Sequence, residues 1–270
     1  MMEYKKLLAF IKRDFLVETS YRLSFFLQFF GTFIIIFSCY FISKLVGESA
    51  APFLSEYGGN YFSFVLIGIA FLGYLQVGMK SFSDSVREAQ MTGTLEAMLS
   101  TPTKLSTILI ASSLWSFIFT SFSVIIYLLF GALFFNVNMS HANILTALVV
   151  LILTIVSFSG LGIISASFIM TLKRGDPITW ILTSLSSLLG GVFYPITVMP
   201  GFLQVISFLL PITHSLRAMR LALLQGYSIS SLSSELLALL VFSIILIPLS
   251  LAVFKIAVRK AKIDGSLAKY

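Results

Sequence analysis

The sequence predicts an all-α integral membrane protein: six transmembrane helices, an N-terminal amphipathic interfacial helix and a re-entrant segment between spans five and six. Three observations carry that prediction. Of 270 residues, 58% are hydrophobic and 11% charged, where soluble domains carry about 25% charged residues. Mean hydropathy is +1.00 and there are 27 Phe, an apolar excess that water tolerates on one face of a helix and lipid tolerates on all of them. The charges that do occur fall in short clusters between long apolar runs.

A hydrocarbon core of about 30 Å needs about 20 helical residues, so stretches free of Asp, Glu, Lys and Arg mark the spans. Residues 1–22 precede the first of them. Within these, Tyr4, Leu7, Leu8, Ile11 and Phe15 recur at spacings of three and four and oppose Lys5, Lys12 and Arg13, the pattern of a basic amphipathic helix lying in the interface. The first two spans fall at about 23–43 and 60–79. The charge-free run from Leu105 to Leu172 is long enough for two, at about 107–131 and 145–171, joined by a polar turn around Asn136 to Asn143. The next apolar stretch, Ile178 to Leu216, carries Pro195, Pro200 and Pro211, each of which breaks or kinks a helix. It reads as a crossing over 178–195 followed by a re-entrant return. The sixth span falls at about 236–254, and the whole chain, 1–270, reads as one transmembrane domain.

Basic residues set the orientation. Of the 18 Lys and Arg, only Lys44, Arg217 and Arg220 fall in outer segments if the N-terminus is inside. That bias predicts two cytoplasmic termini. In this reading Arg217 and Arg220 belong to the outer interface, where headgroups are their partners. The net charge of +7 then matches anionic headgroups, with no clustered basic surface for nucleic acid. The first apolar run is span-length and follows an amphipathic segment, so the N-terminus is expected to be retained. The single cysteine, Cys39, excludes an intrachain disulfide and a cysteine metal cluster.

Several chemistries find no residues to carry them. There is no G-x-x-x-x-G-K-[ST] loop, so the chain has no Walker-type nucleotide site of its own. Gly160 and Gly162 imitate part of a dinucleotide fingerprint. They lie in an apolar span among Ser157, Ser159, Ala166 and Ser167, where small residues let helices approach closely. Neither His141 nor His214 has the neighbours of a zinc hydrolase. No expected span contains an ionisable Asp, Glu, Lys or Arg, which argues against a proton- or ion-coupled carrier and for energy supplied by a partner protein. A channel lined by Ser and Thr, a secondary carrier and a membrane-embedded lipid enzyme are the alternatives; the enzyme lacks a recognisable nucleophile or paired carboxylates.

The internal loop over 80–104 is the longest and most charged on the inner side. Arg87 and Glu88 end a helical stretch, Gly93 permits a bend, and Thr94 to Leu99 form a short helix that Pro102 stops. Such a helix suits a cytoplasmic motor. Here the chain resembles the permease subunits of type 2 ABC transporters, the exporters of drugs, lipids and polysaccharides. The resemblance rests on an acidic residue, a spacer, Gly93-Thr94-Leu95-Glu96 and then Thr101-Pro102. Gly190-Gly191-Val192-Phe193-Tyr194-Pro195 and Leu210-Pro211 through Arg217 extend it over essentially the whole chain.

The resemblance implies a bacterial or archaeal inner-membrane exporter that is not itself an enzyme and binds no cofactor. It implies pairing with a second copy or a related permease, and with two cytoplasmic ABC ATP-binding subunits that hold ATP and Mg. It also implies that Arg87, Glu88, Gly93, Thr94, Leu95, Glu96 and Leu99 contact the ATPase, and that Gly190, Gly191, Tyr194 and Pro195 serve the pathway or its gate.

Overall fold

The computed structural model of the chain describes residues 2–20, 22–100, 105–172 and 176–263. They form α1 (Met2–Ser20), α2 (Arg22–Val46), a 3-10 segment (Gly47–Tyr57), α3 (Tyr61–Met91), α4 (Thr94–Ser100) and α5 (Leu105–Phe135). Beyond these come α6 (Ile144–Leu172), α7 (Pro177–Leu189), a 3-10 turn (Ile196–Val198), α8 (Gly201–Phe208), α9 (Pro211–Leu224) and α10 (Ser233–Ile263). No strand occurs among the described residues.

Four helices, α3, α5, α6 and α10, are long and apolar enough to cross a membrane. Two helix pairs are long and apolar enough only when taken together, each as a broken span or a re-entrant loop: α2 with its following 3-10 segment, folded by 118°, and α8 with α9, folded by 88°. The second bend is set at Pro211, which opens α9 and whose ring does not allow α8 to continue. The Thr213 hydroxyl donates to the Ser207 carbonyl at 2.6 Å and holds the corner shut. The stretch over 178–195 is only partly helical. Asp176 caps α7, its carboxylate accepting from Thr179 N at 3.0 Å, and Pro177 follows at the first helical position. The 13 residues of α7 rise about 20 Å, less than a hydrocarbon core, and the chain leaves the helix at Gly190.

The core is organised around α6, which packs most extensively against α10 and α3. The small residues expected to serve packing do so. A Cβ on Gly162 would overlap the Gly78 carbonyl of α3, and one on Gly160 would lie 2.7 Å from the Leu246 Cβ of α10. Buried hydroxyls add cross-links: Thr154 donates to Ser215 at 2.8 Å, and the Ser157 and Ser243 hydroxyls pair at 2.9 Å. Ser165 donates to the Asp176 carboxylate at 2.6 Å. Each such bond contributes about 0.6 kcal/mol in an apolar medium, so packing dominates.

Helix α3 is the axial element. Asn60 caps it, accepting from Ser63 N at 3.0 Å, and its 31 residues rise about 46 Å, some 15 Å more than hydrocarbon requires. Lys80, Asp84, Arg87 and Glu88 are therefore carried by one continuous helix, whose other face buries Ser83, Val86, Ala89 and Gln90.

Candidate functional site

The end of α3 and the start of α4 form a hinge. The Thr92 hydroxyl donates to the Glu88 carbonyl at 2.8 Å and closes α3. Gly93 N then donates to the Gln90 carbonyl at 3.2 Å. Gly93 has φ +68, and a Cβ there would meet no atom within 4 Å, so the backbone conformation and not space requires glycine. The Thr92 and Thr94 hydroxyls pair at 2.9 Å across the turn. Arg87, Glu88, Thr94 and Glu96 are exposed, and Glu96 sits in the first turn of α4, where the helix dipole favours an anion. Met98 packs against the main core and anchors α4. The side chains of Leu95 and Leu99, and Pro102 with its neighbours, lie outside the described residues.

At the opposite end, the break after α7 meets α9. Gly190 N donates to the Ser186 carbonyl at 2.9 Å, and Gly191 has φ +76. The Tyr194 hydroxyl donates to the Leu188 carbonyl at 2.6 Å, and Pro195 caps the 3-10 turn. Non-helical backbone at this depth needs internal partners, and Arg220 supplies them. Its Nη1 donates to the Gly191 carbonyl at 2.8 Å, its Nη2 to Val192 at 2.9 Å and its Nε to Phe64 on α3 at 3.1 Å. The guanidinium carbon lies 3.4 Å from the Phe64 ring centroid. This corrects the expected headgroup role, since Arg220 is 2% exposed.

Arg217, one turn earlier on α9, is half-exposed. It pairs with Glu56 of the 3-10 segment at 2.8 Å and with Glu235 of α10 at 3.0 Å. Glu56, Gly190, Gly191, Pro195, His214 and Arg217 help to line a cavity of about 390 Å³. Tyr194 is not part of that lining. His214 is bonded to the Phe208 carbonyl at 2.9 Å.

A third feature is not anticipated from the sequence. Along α3, Gln76, Lys80 and Asp84 recur every four residues, with Ser81 beside them. They face Ser116, Thr120, Ser123 and Tyr127 of α5, spaced by four, three and four. Thr32 of α2 closes the deep end, its hydroxyl 2.6 Å from that of Tyr127. This cavity of about 400 Å³ shares Ser81, Asp84 and Ser116 with a second, of about 450 Å³, which runs on beneath α1 to Arg13, Glu88 and Thr94. The available signal is the helical spacing of hydroxyls in the fifth helix, a stripe hidden by the high hydropathy around it.

An all-helical bundle with long apolar spans, two bent pairs and a polar cleft leading to a charged hinge defines a polytopic membrane protein built for transport. Residues 5–224 match the model of the family described as ABC-2 type transporter, and the chain belongs to that family. It is 28% identical over 190 residues to the Inner membrane transport permease YadH of Escherichia coli strain K12, covering 69% of this chain and 72% of the relative. The same figures hold for YadH of Escherichia coli O157:H7 and of Shigella flexneri.

Proposed function

We propose that this chain is the membrane-spanning subunit of an ATP-driven exporter in a bacterial or archaeal inner membrane, with both termini cytoplasmic. It works with a second copy of itself or a related permease and with two cytoplasmic ABC ATP-binding subunits, on which ATP and Mg are held. The cargo is amphipathic, drug-like, lipid or lipid-linked polysaccharide, moved out of the cytoplasm or the inner leaflet.

The observation that supports this reading is the hinge between α3 and α4. A short anchored helix with Thr94 and Glu96 facing water joins, through Gly93, a single helix of 31 residues. Its far end is fastened to the α7 break by Arg220. A push on α4, received by Arg87, Glu88, Gly93, Thr94, Leu95, Glu96 and Leu99, is carried by α3 as a rigid rod to Gly190, Gly191, Tyr194 and Pro195. These residues then gate the pathway.

The test is reconstitution. The chain co-expressed with an ABC ATP-binding subunit from the same genome should co-purify with that subunit, and the vesicles should move a fluorescent amphiphile only when ATP and Mg are added. Transport by the chain alone, unaffected by ATP, would favour the channel or carrier reading.

A further inference from the structure

We propose that the cleft between α2, α3 and α5 is a binding site for a phospholipid with a phosphoethanolamine headgroup, the phosphate meeting Lys80 and the ammonium meeting Asp84. Three observations carry it.

The first is an unpartnered group. Ser81 is 9% exposed, and its hydroxyl has no hydrogen-bond partner, yet it lines both halves of the cleft. A buried hydroxyl left unmatched costs free energy that a bound polar ligand recovers. The second is the ordering of charge with depth. Lys80 lies 19 residues along α3 from Tyr61, about 29 Å, at the edge of a hydrocarbon core, and Asp84 lies about 6 Å further out. In an aminophospholipid the phosphate is joined to the glycerol and the ammonium lies beyond it, so the cation and the anion of the cleft stand in the order that the headgroup needs. The third is the deeper wall. Thr120 and Ser123, whose hydroxyls donate to the Ser116 and Phe119 carbonyls of their own helix, and Tyr127 keep this wall polar beside the glycerol, and the Thr32–Tyr127 pair ends the polar surface.

The neighbouring charges agree with this polarity. Arg13 is paired with Asp14 at 2.7 Å; Lys80 and Asp84 form the dipole of the cleft, with Glu88 a second anion at the ammonium end and Arg87 and Asp176 also acting on Asp84. A phosphatidylglycerol offers Asp84 no cation. A phosphatidylcholine offers a cation that cannot donate a hydrogen bond. The inference rests on the transport reading only in making this cleft an entry for inner-leaflet cargo; binding is measured without ATP or a partner, so the two readings fail separately.

Trp115 lines the cleft, and the chain has two Trp, so Trp180→Phe leaves a single reporter. The full chain is placed in phosphatidylcholine nanodiscs doped with chain-brominated phosphatidylethanolamine, phosphatidylglycerol or phosphatidylcholine, and quenching of Trp115 is compared. A charge-assisted hydrogen bond corresponds to about tenfold in affinity, so phosphatidylethanolamine should quench at about one tenth of the dose that the others need. Asp84→Asn, on the exposed edge of α3, should bring the three lipids together, whereas Lys80→Gln removes a phosphate contact common to all three and should raise the dose that each needs. Equal quenching by all three in the parent, or a preference retained by Asp84→Asn, overturns the proposal. So does a response of Trp115 to soluble O-phosphoethanolamine while the brominated lipids quench alike, because the site would then take a free solute.

Discussion

Arg220 on α9 donates from Nη2 to the Val192 carbonyl at 2.9 Å, and thereby fastens the broken end of the α7 region to the start of α3, where the same guanidinium reaches Phe64. Gly68 makes room for this arrangement, since a Cβ there would overlap the Val192 carbonyl and come within 2.7 Å of Arg220 Nη2. Arg220→Ala leaves the buried Gly191 and Val192 carbonyls without their donor and should destabilise the fold by about 3 kcal/mol. Arg220→Lys keeps the charge but loses the planar fork, and should recover less than half of that. Thermal unfolding in mild detergent reads both, and a Tm unchanged in Arg220→Ala would remove the strut from the account.

Gly162 and Gly31 make a matched pair of tests. Both are helical, but a methyl group on the first would run into the Gly78 carbonyl of α3, while one on the second would have no atom within 4 Å. Gly162→Ala should cost about 1–3 kcal/mol through forced separation of α3 and α6. Gly31→Ala should gain about 0.5 kcal/mol from reduced backbone freedom. Equal Tm values for the two would mean that the α3–α6 approach does not limit stability.

These residues also mark what is legible in sequence. Small residues at 157, 160 and 162 read correctly as packing because an apolar span offers them no other role. The hinge at Gly93 and the helix starting at Thr94 are legible because Gly and Pro act locally on the backbone. The place of Arg220 is not, since burial is a tertiary property: Arg217 and Arg220 lie three residues apart, yet one is half-exposed in a carboxylate pair and the other is held in a carbonyl cage. The packing of α3 past Lys80 is hidden for a related reason. A helical stretch ending at Arg87 and Glu88 is legible, but its continuity with the span is not, because Ser83, Val86 and Ala89 hold the segment to the bundle only in the folded chain.

The Arg217 triad should be asymmetric. Both side chains of the Arg217–Glu56 pair are more than 40% exposed, whereas the Glu235 side chain is 7% exposed. Glu56→Gln should therefore change stability by no more than about 1 kcal/mol and lose even that in high salt. Arg217→Gln strands a buried carboxylate and should cost about 3 kcal/mol. Glu235→Gln combined with Arg217→Gln should restore part of the loss; a strictly additive double variant would sink the pairing as an energetic unit.

Orientation is open to cysteine labelling in a Cys39→Ser background. Ser55 and Ser140 are exposed at the Asn60 end of α3, and Ser100 is exposed at the end of α4. An impermeant maleimide should label Ser55→Cys and Ser140→Cys on intact cells and Ser100→Cys only after permeabilisation. The opposite pattern would put the hinge outside, beyond the reach of a cytoplasmic ATPase.

The hinge variants test coupling most directly. Glu96→Lys reverses an exposed charge in the first turn of α4 and disturbs no apolar span, so membrane levels should stay near normal while ATPase association falls by about tenfold or more, the scale of one charge-assisted contact. Gly93 allows a graded series. Gly93→Ala keeps the amide that donates to Gln90 and meets no neighbour, but its left-handed φ of +68 costs about 1 kcal/mol. It should slow transport mildly. Gly93→Pro forces φ near −65° and deletes that amide, so α4 must leave its position, and ATP-dependent transport should fall below about a tenth of the parent with the bundle still folded. The ordering parent, Ala, Pro in transport rate, with Tm lowered by only about 2–4 °C in Gly93→Ala, is the expected result. Full transport by both Glu96→Lys and Gly93→Pro would mean that force enters the membrane domain elsewhere.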